Sequence, residues 1–213
     1  PTQIDKQPWL QPVLEKNPDI FNDFFWPDGH IRVTGREYNG LLESACFQKG
    51  QMSCISCHSM HKSDPDDQLA RGMRGNQACI QCHDEMADDL TRHTRHAADS
   101  PGSNCTNCHM PHTTYGLLKA IRSHTMTSPN VGKDLAAGRP NACNLCHLDQ
   151  TMQWTADKLQ DWYKIAPPEL SKDEQEVAAS LLWILKGDAS QRALVAWSMG
   201  WPVAQAISGT EWQ

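Results

Sequence analysis

The stretch CISCHSMH, residues 54–61, has two cysteines three positions apart, a histidine directly after the second, and another histidine three residues later. The pattern Cys-x-x-Cys-His returns as CIQCH at 79–83, CTNCH at 105–109 and CNLCH at 143–147. Eight of the nine cysteines in the 213-residue chain therefore fall into four equal motifs, and Cys46 is left over. Any fold of this chain must therefore accommodate the same local chemistry four times.

The motif is the attachment signature of c-type haem. Two thiols on one helical turn form thioethers with the vinyl groups at one edge of the porphyrin, and the next imidazole projects toward the iron. A disulfide framework or zinc sites would not need a histidine after every second cysteine, and a thioredoxin-like pair would be a single motif beside a βαβ pattern. We therefore predict four covalently attached haem c groups, bound through Cys54, Cys57, Cys79, Cys82, Cys105, Cys108, Cys143 and Cys146.

Composition and charge limit the remaining possibilities. With 8 Trp and 9 Cys, disorder is a poor fit, and no apolar run reaches the about 18 residues of a transmembrane helix. A net charge of −6 without a Lys/Arg block argues against nucleic acid as a partner. The hydrophobic share of 39% is low, as expected where porphyrins supply part of the core.

Covalent haem attachment also predicts where the protein works. In bacteria and archaea it takes place outside the cytoplasmic membrane, so we expect an exported protein, periplasmic or extracellular. The chain begins with Pro1 and shows no signal peptide, which is expected of a mature chain after cleavage of its signal.

The supply of histidines predicts the axial ligands. The proximal ligands by position are His58, His83, His109 and His147. The six others are His30, His61, His93, His96, His112 and His124. Six candidates for four distal positions favour bis-histidine irons. Methionine is the alternative distal ligand, and three lie near the motifs: Met60, Met110 and Met126.

Geometry ranks the six candidates but leaves alternatives open. His61 and His112 each follow a proximal histidine by three residues, so they lie on the same side of that haem and reach only a neighbouring one. His93 and His96 would face the same way in a helix and could serve two different haems. From geometry alone the order is His61, His96 and His124, then His93 and His112, with His30 last.

Three stretches together resemble the multihaem c-type cytochromes of exported bacterial proteins, which are often joined to helical repeats of tetratricopeptide or HEAT type. They are GREYNGLLESACFQKGQMSCISCHSMH (35–61), RHTRHAADSPGSNCTNCHMPHTTYGLLKAIRSH (92–124) and NACNLCHLDQTMQWTADKLQDWY (141–163). In that family the position of His112 varies. The resemblance implies as distal ligands His61, His93, His96 and His124.

Haem count and chain length are also similar to those of tetrahaem cytochromes that polymerise into extracellular filaments. In those proteins a histidine of one subunit can ligate a haem of the next, and His30, far upstream of the first motif, would suit such a donor. The resemblance thus implies a homopolymer through haem contacts between subunits as one form of assembly, besides redox partner proteins.

The sequence predicts a mainly α protein with much irregular coil and little or no β-sheet, a multihaem cytochrome c fold organised around four closely packed haems. We expect an extended N-terminal arm at 1–40, a tetrahaem domain at 41–150 and a Trp-rich helical segment at 151–213. Helices are expected around 115–124, over WTADKLQDWYKIA before Pro167, and over SKDEQEVAASLLWILK. The last would open with a capping box and bury an apolar stripe, formed by Val177, Leu181, Ile184 and Leu185.

The resulting functional prediction is an electron carrier rather than an enzyme. Bis-histidine irons have no open position, and the sequence shows no catalytic residue set. The alternative is a reductase or oxidase of a small nitrogen or sulfur compound, with one haem that lacks a distal ligand. Neither prediction gives a role to Cys46.

Overall fold

A computed structural model describes residues 11–17, 19–33, 36–59, 61, 68–116 and 119–209. Helices dominate, and the sheet found in these ranges has only two strands, so the predicted mainly α class is confirmed. Residues 1–10 of the predicted arm and Met60 lie outside the described residues. The helices are α1 (Gln11–Lys16), α2 (Ile20–Phe24), α3 (Glu37–Glu43), α4 (Ala45–Lys49), α5 (Gln77–Ile80), α6 (Glu85–Thr94), α7 (Cys105–His109), α8 (Val131–Ala137), α9 (Met152–Tyr163), α10 (Lys172–Glu176), α11 (Ala179–Lys186), α12 (Ala189–Met199) and α13 (Pro202–Ser208). Two short 3-10 turns cover Cys54–Ser56 and Pro101–Ser103.

The largest hydrophobic core joins the C-terminal helices to the fourth motif. Leu145, inside that motif, is buried together with Met152 of α9 and Val195 of α12. The hydroxyl of Ser208 adds a polar link, because it donates to the carbonyl of Cys146 at 2.8 Å and accepts from the amide of Leu148 at 2.8 Å. The core therefore crosses residue 150, and the division into three segments stays a prediction. No helix in the described ranges is long and apolar enough to cross a membrane.

Side-chain caps mark the starts of α9, α10 and α12, and α9 begins two residues and ends three residues earlier than the predicted helix. The hydroxyl of Thr151 accepts from the amide of Trp154 at the start of α9, and the helix ends at Lys164, whose φ is 58°. Ser171 forms the predicted capping box with Glu174, and Asp188 caps α12. Short-range hydrogen bonds of this kind depend on a few neighbouring residues, which is why the sequence predicts them.

The predicted helix over SKDEQEVAASLLWILK is wrong as a continuous element. It is divided into α10 and α11, because Val177 is extended and Ala178 pairs with Thr151 as an isolated bridge. After this break α11 presents a different face, and it buries Ala179, Ser180 and Trp183. The predicted stripe is wrong as well, since Leu181 is 36% and Leu185 71% exposed.

The helix predicted around 115–124 is a β-hairpin. β1 (His112–Tyr115) pairs antiparallel with β2 (Lys119–Arg122), with His112 opposite Arg122. Thr113 and Thr114 are β-branched and buried in β1, and such residues favour strands. Gly116 follows with a φ of 55°, a value that suits the turn between the strands. His124 therefore follows a strand and not a helix.

The N-terminal segment packs on this hairpin. Val33 forms a parallel bridge with Thr114, and the hydroxyl of Thr113 donates to the carbonyl of Arg32 at 2.9 Å. The Arg32 guanidinium also pairs with Asp188 at the start of α12, at 2.9 Å. The described part of the arm includes the short helices α1 and α2, so it is not extended throughout.

Candidate haem sites

Each Cys-x-x-Cys-His motif forms one tight helical turn. The histidine amide donates to the carbonyl of the first cysteine in three of them: His58 to Cys54 (2.9 Å), His83 to Cys79 (3.0 Å) and His147 to Cys143 (2.9 Å). The third motif coincides with α7, which Asn104 caps by accepting from the amide of Thr106. Because residues three positions apart lie on one side of a helical turn, the two thiols of each motif can reach one edge of a planar group.

The first and second motifs are neighbours. The side-chain amide of Gln81, in the second motif, donates to the carbonyl of Ser56, in the first, at 3.0 Å. Burial, followed by the nearby Cys82 thiol, raises the pKa of Cys57. The two attachment points therefore lie against each other.

The second and third motifs are joined by Asn76. Its side-chain amide donates to the carbonyl of Ser103 at 2.7 Å, and its Oδ1 accepts from the amide of Cys105 at 2.8 Å. The thiols of Cys79 and Cys105 are hydrogen-bonded to each other, which lowers the pKa of Cys105 to about 7. The second and third attachment points are thus in contact.

The third and fourth motifs are also neighbours. Burial, with the Cys108 thiol close by, raises the pKa of Cys146 to about 12. Burial, followed by the Cys108 thiol, also raises the pKa of Cys143. The four motifs therefore follow one another in space in the order in which they follow along the chain.

Three of the four proximal histidines face a second imidazole. The ring centres are 6.1 Å apart for His58 and His124, 6.0 Å for His109 and His93, and 6.1 Å for His147 and His96. The angles between the ring planes are 22°, 13° and 33°. Two metal–nitrogen bonds of about 2 Å each, together with the distances from the nitrogens to the ring centres, span about 6 Å. Each gap therefore has the width that one iron between two imidazoles requires.

Backbone carbonyls determine which nitrogen of these rings is free. Because a carbonyl can only accept, each Nδ1 carries the proton and leaves the Nε2 lone pair for a metal. This holds for four rings, whose acceptors are Thr127 for His109 (2.8 Å), Arg122 for His124 (3.1 Å), Thr94 for His96 (2.6 Å) and Gln68 for His58 (3.3 Å). Burial lowers the pKa of His109, His124 and His147, which favours the neutral form that binds metals.

Helix α9 supplies an aromatic wall beside two of these pairs. Trp154 lies 4.9 Å from the ring of His147, and Trp162 lies 6.4 Å from that of His96. Tyr163 lies 6.1 Å from the ring of His93, and its hydroxyl donates to the carbonyl of that residue. The sequence pattern placed these side chains only in a Trp-rich helical segment. Their spacing of eight and nine residues on one helix was the available signal.

His83 and His61 are not brought together. Both residues are exposed, and the side chain of His83 is 54% exposed, with Nδ1 3.8 Å from a carboxylate oxygen of Glu85. Among the residues that the structure describes, no second imidazole faces His83, as one faces each of the other three proximal rings. The assignment of His61 as a distal ligand therefore stays a prediction.

His30 and His112, the two unassigned histidines, occupy other surroundings. The guanidinium of Arg139 donates to Nδ1 of His30 at 2.6 Å, so the proton of this ring is on Nε2. The four rings that donate to backbone carbonyls carry their proton on Nδ1 instead. His112 lies against Trp197 at 4.4 Å and Trp201 at 4.8 Å. Burial lowers the pKa of His30 to about 4 and that of His112 to about 3. Neither ring faces a proximal histidine.

His93 and His96 separate, contrary to the helical expectation that they face the same way. α6 ends at Thr94, and Arg95 follows in the left-handed conformation with a φ of 60°. The change of direction turns the two rings toward different proximal partners.

The three histidine pairs and their motifs together fit haem c. Each pair offers imidazole donors, a gap of the required width and, on four of the six rings, an Nε2 atom that is free to bind iron.

Comparison with known proteins supports the same class. Residues 45–88, which contain the first two motifs, match a family model described as a doubled CXXCH motif. No curated protein and no solved structure matches the chain. The match indicates a multihaem c-type cytochrome-like protein with covalently bound haem c. Haem binding and electron transport are the properties that it supports.

Proposed function

We propose that the chain is an exported tetrahaem c-type cytochrome that carries electrons, with each iron held between two histidines. The supporting observation is the set of three facing imidazole pairs, with ring centres 6.0 to 6.1 Å apart. The first motif would use His124, the third His93 and the fourth His96. Bound haem c supplies a one-electron iron couple. Two imidazoles on one iron leave no position for a substrate, so only electrons pass.

For the second motif we propose His61 as the partner of His83. His30 and His112 are held by Arg139 and by two tryptophans, respectively, and the other three candidates already face a proximal ring. His61 is exposed and lies three residues after His58, too close to it in sequence to reach the opposite face of the same haem. The hydrogen bond between Gln81 and Ser56 brings the first and second motifs together, which supports ligation of the second haem by a histidine next to the first motif.

A spectrum of the oxidised protein, with a haem count per chain, tests both proposals. We expect four haems, all low-spin, and no carbon monoxide binding after reduction. A count other than four, or zinc in place of haem, contradicts the tetrahaem proposal.

The second candidate is an enzyme with one open haem at the second motif. It is favoured by the exposure of His83 and by the lack of a facing imidazole in the described residues. One high-spin haem that binds carbon monoxide in the unaltered protein would support this candidate and contradict His61 ligation.

Replacement of His61 separates the remaining outcomes. We expect His61→Ala to convert one of four haems to a high-spin, carbon monoxide-binding form, while the control His112→Phe leaves all four low-spin. If His61→Ala stays entirely low-spin, the ligand comes from elsewhere, and the homopolymer becomes the leading explanation. Electron microscopy of the purified protein then distinguishes filaments from discrete particles.

A further inference from the structure

Arg122, the last residue of β2, extends its guanidinium to the third motif. Nη1 donates to the carbonyl of Thr106 at 3.1 Å and to that of Met110 at 3.4 Å. Nη2 donates to Oδ1 of Asn107, a buried side chain between the two cysteines of the motif. These bonds hold a positive charge at a fixed place against the turn that carries Cys105 and Cys108.

The charge of Arg122 is not neutralised by a carboxylate. Arginine stays protonated at neutral pH, yet within the described ranges its hydrogen-bond and ring partners are two carbonyls, one amide and the ring of Trp201, 5.7 Å from the guanidinium carbon. The thiols of Cys146 and Cys108 also lie near the guanidinium, but no hydrogen bond joins Arg122 to the fourth motif in these ranges. Arg139 offers the contrast, because Asp28 and Asp134 both pair with it. Arg122 therefore contributes a net positive charge to half-buried surroundings.

We propose that Arg122 is a positioning residue that raises the reduction potential of the haem held by the third motif. The inference rests on the proposed function, since it requires haem at Cys105 and Cys108. Reduction adds one negative charge to the site, and a nearby cation in surroundings of low polarity stabilises that state. Because the guanidinium is bound to the motif itself, its distance from the attached group is fixed.

Potentiometric titration of the intact haem protein tests the proposal. Arg122→Gln removes the charge, and Asn107→Asp neutralises it by placing a carboxylate where the amide oxygen now accepts from Nη2. We expect both variants to lower the potential of one haem, with a roughly tenfold higher ratio of oxidised to reduced haem at a fixed potential. For a one-electron couple this corresponds to about 59 mV.

Two control variants separate charge from structure. Arg122→Lys keeps the charge and should shift the ratio less than twofold. Arg92→Gln removes a cation next to His93, but this side chain is 77% exposed and paired with Asp89, so solvent screening should also keep the shift below twofold. A His93→Met background gives the third haem its own spectrum, which identifies the haem that shifts.

The outcomes distinguish this inference from the proposed function. If the unaltered protein contains no haem, the proposed function fails. If four haems are present but Arg122→Gln and Asn107→Asp leave all potentials unchanged, or shift a haem other than the third, the inference is wrong. If Arg122→Gln does not fold, Asn107→Asp decides alone, because it preserves the shape of the side chain.

Discussion

The first and fourth motifs have the same pattern but opposite surroundings. Ile55, between the cysteines of the first motif, is 72% exposed, whereas Leu145, one position further on in the fourth motif, is 2% exposed. Cys54 and Cys82 are exposed, while Asn141 and Asn144 of the fourth motif region are fully buried. The attachment pattern is local, and the core formed with α9, α11 and α12 decides how much solvent reaches each site.

The difference indicates how one chain could give haems at equal attachment motifs unequal properties. Burial and nearby charge are two means by which proteins adjust haem potentials. Solvent and other molecules can reach the first and second motifs, whereas fixed side chains surround the third and fourth.

The largest effect is expected from removal of the fourth attachment site. Cys143→Ser with Cys146→Ser should abolish the folded state, because the site packs in the main core with Leu145 and Met152. The matched change in the exposed second motif, Cys79→Ser with Cys82→Ser, should leave a folded protein with three haems. Haem counts and circular dichroism measure both, and equal outcomes for the two variants would remove the distinction between the regions.

A smaller loss is expected at Asp134, which supports the fourth motif from outside. Its carboxylate is buried, pairs with Arg139 at 2.6 Å and accepts from Asn141 at 2.6 Å; Asn141 in turn accepts from the amide of Cys143. Asp134→Ala should lower the free energy of unfolding by about 3 kcal/mol, because the buried amide of Asn141 loses its acceptor and Arg139 keeps only Asp28. Denaturant titration measures the change, with Asp89→Ala on exposed α6 as a control that should unfold like the unaltered protein.

Leu145 and Ile55 give the most direct test. Leu145→Ala should cost about 3 kcal/mol, because it opens a cavity in the core. Ile55→Ala should change stability by less than about 0.5 kcal/mol, as is usual for exposed positions. Thermal unfolding of variants with equal haem content measures both, and a cost at Ile55 that equals the cost at Leu145 would show that the first motif is enclosed as well.

The smallest expected effect is on the pH dependence of stability, and it comes from His112. Its pKa is lowered from 6.5 to about 3 by burial, so as the pH falls below 6.5 the unfolded chain binds a proton that the folded protein does not. The contribution of His112 to the free energy of unfolding is complete above pH 6.5 and is lost as the pH falls toward 3. At pH 5 the loss is at most about 2 kcal/mol. His112→Phe should reduce the pH dependence of unfolding between pH 6.5 and 5, whereas an unchanged slope would place the sensitive group elsewhere.

Local signals predicted well, and signals that depend on packing did not. The capping box at Ser171 was predicted because it involves a few adjacent residues. The hairpin at 112–122 was missed because its strands are stabilised by the N-terminal segment and by α12, which are distant in sequence. The apolar stripe with Leu181 was wrong for a related reason, since the pairing of Thr151 with Ala178 breaks the helix and turns its face.

The sequence by itself determined the chemistry of the sites. Thioether formation needs two thiols and an imidazole within five residues, and those residues are adjacent in the chain. Only the tertiary structure decided which imidazole faces which proximal one, because His58 and His124 are 66 positions apart and the hairpin that precedes His124 lies between them in the chain. It also placed Arg122 against the third motif and α9 beside the last two. Contacts between distant residues depend on the packing of whole elements, which no short pattern in the chain encodes.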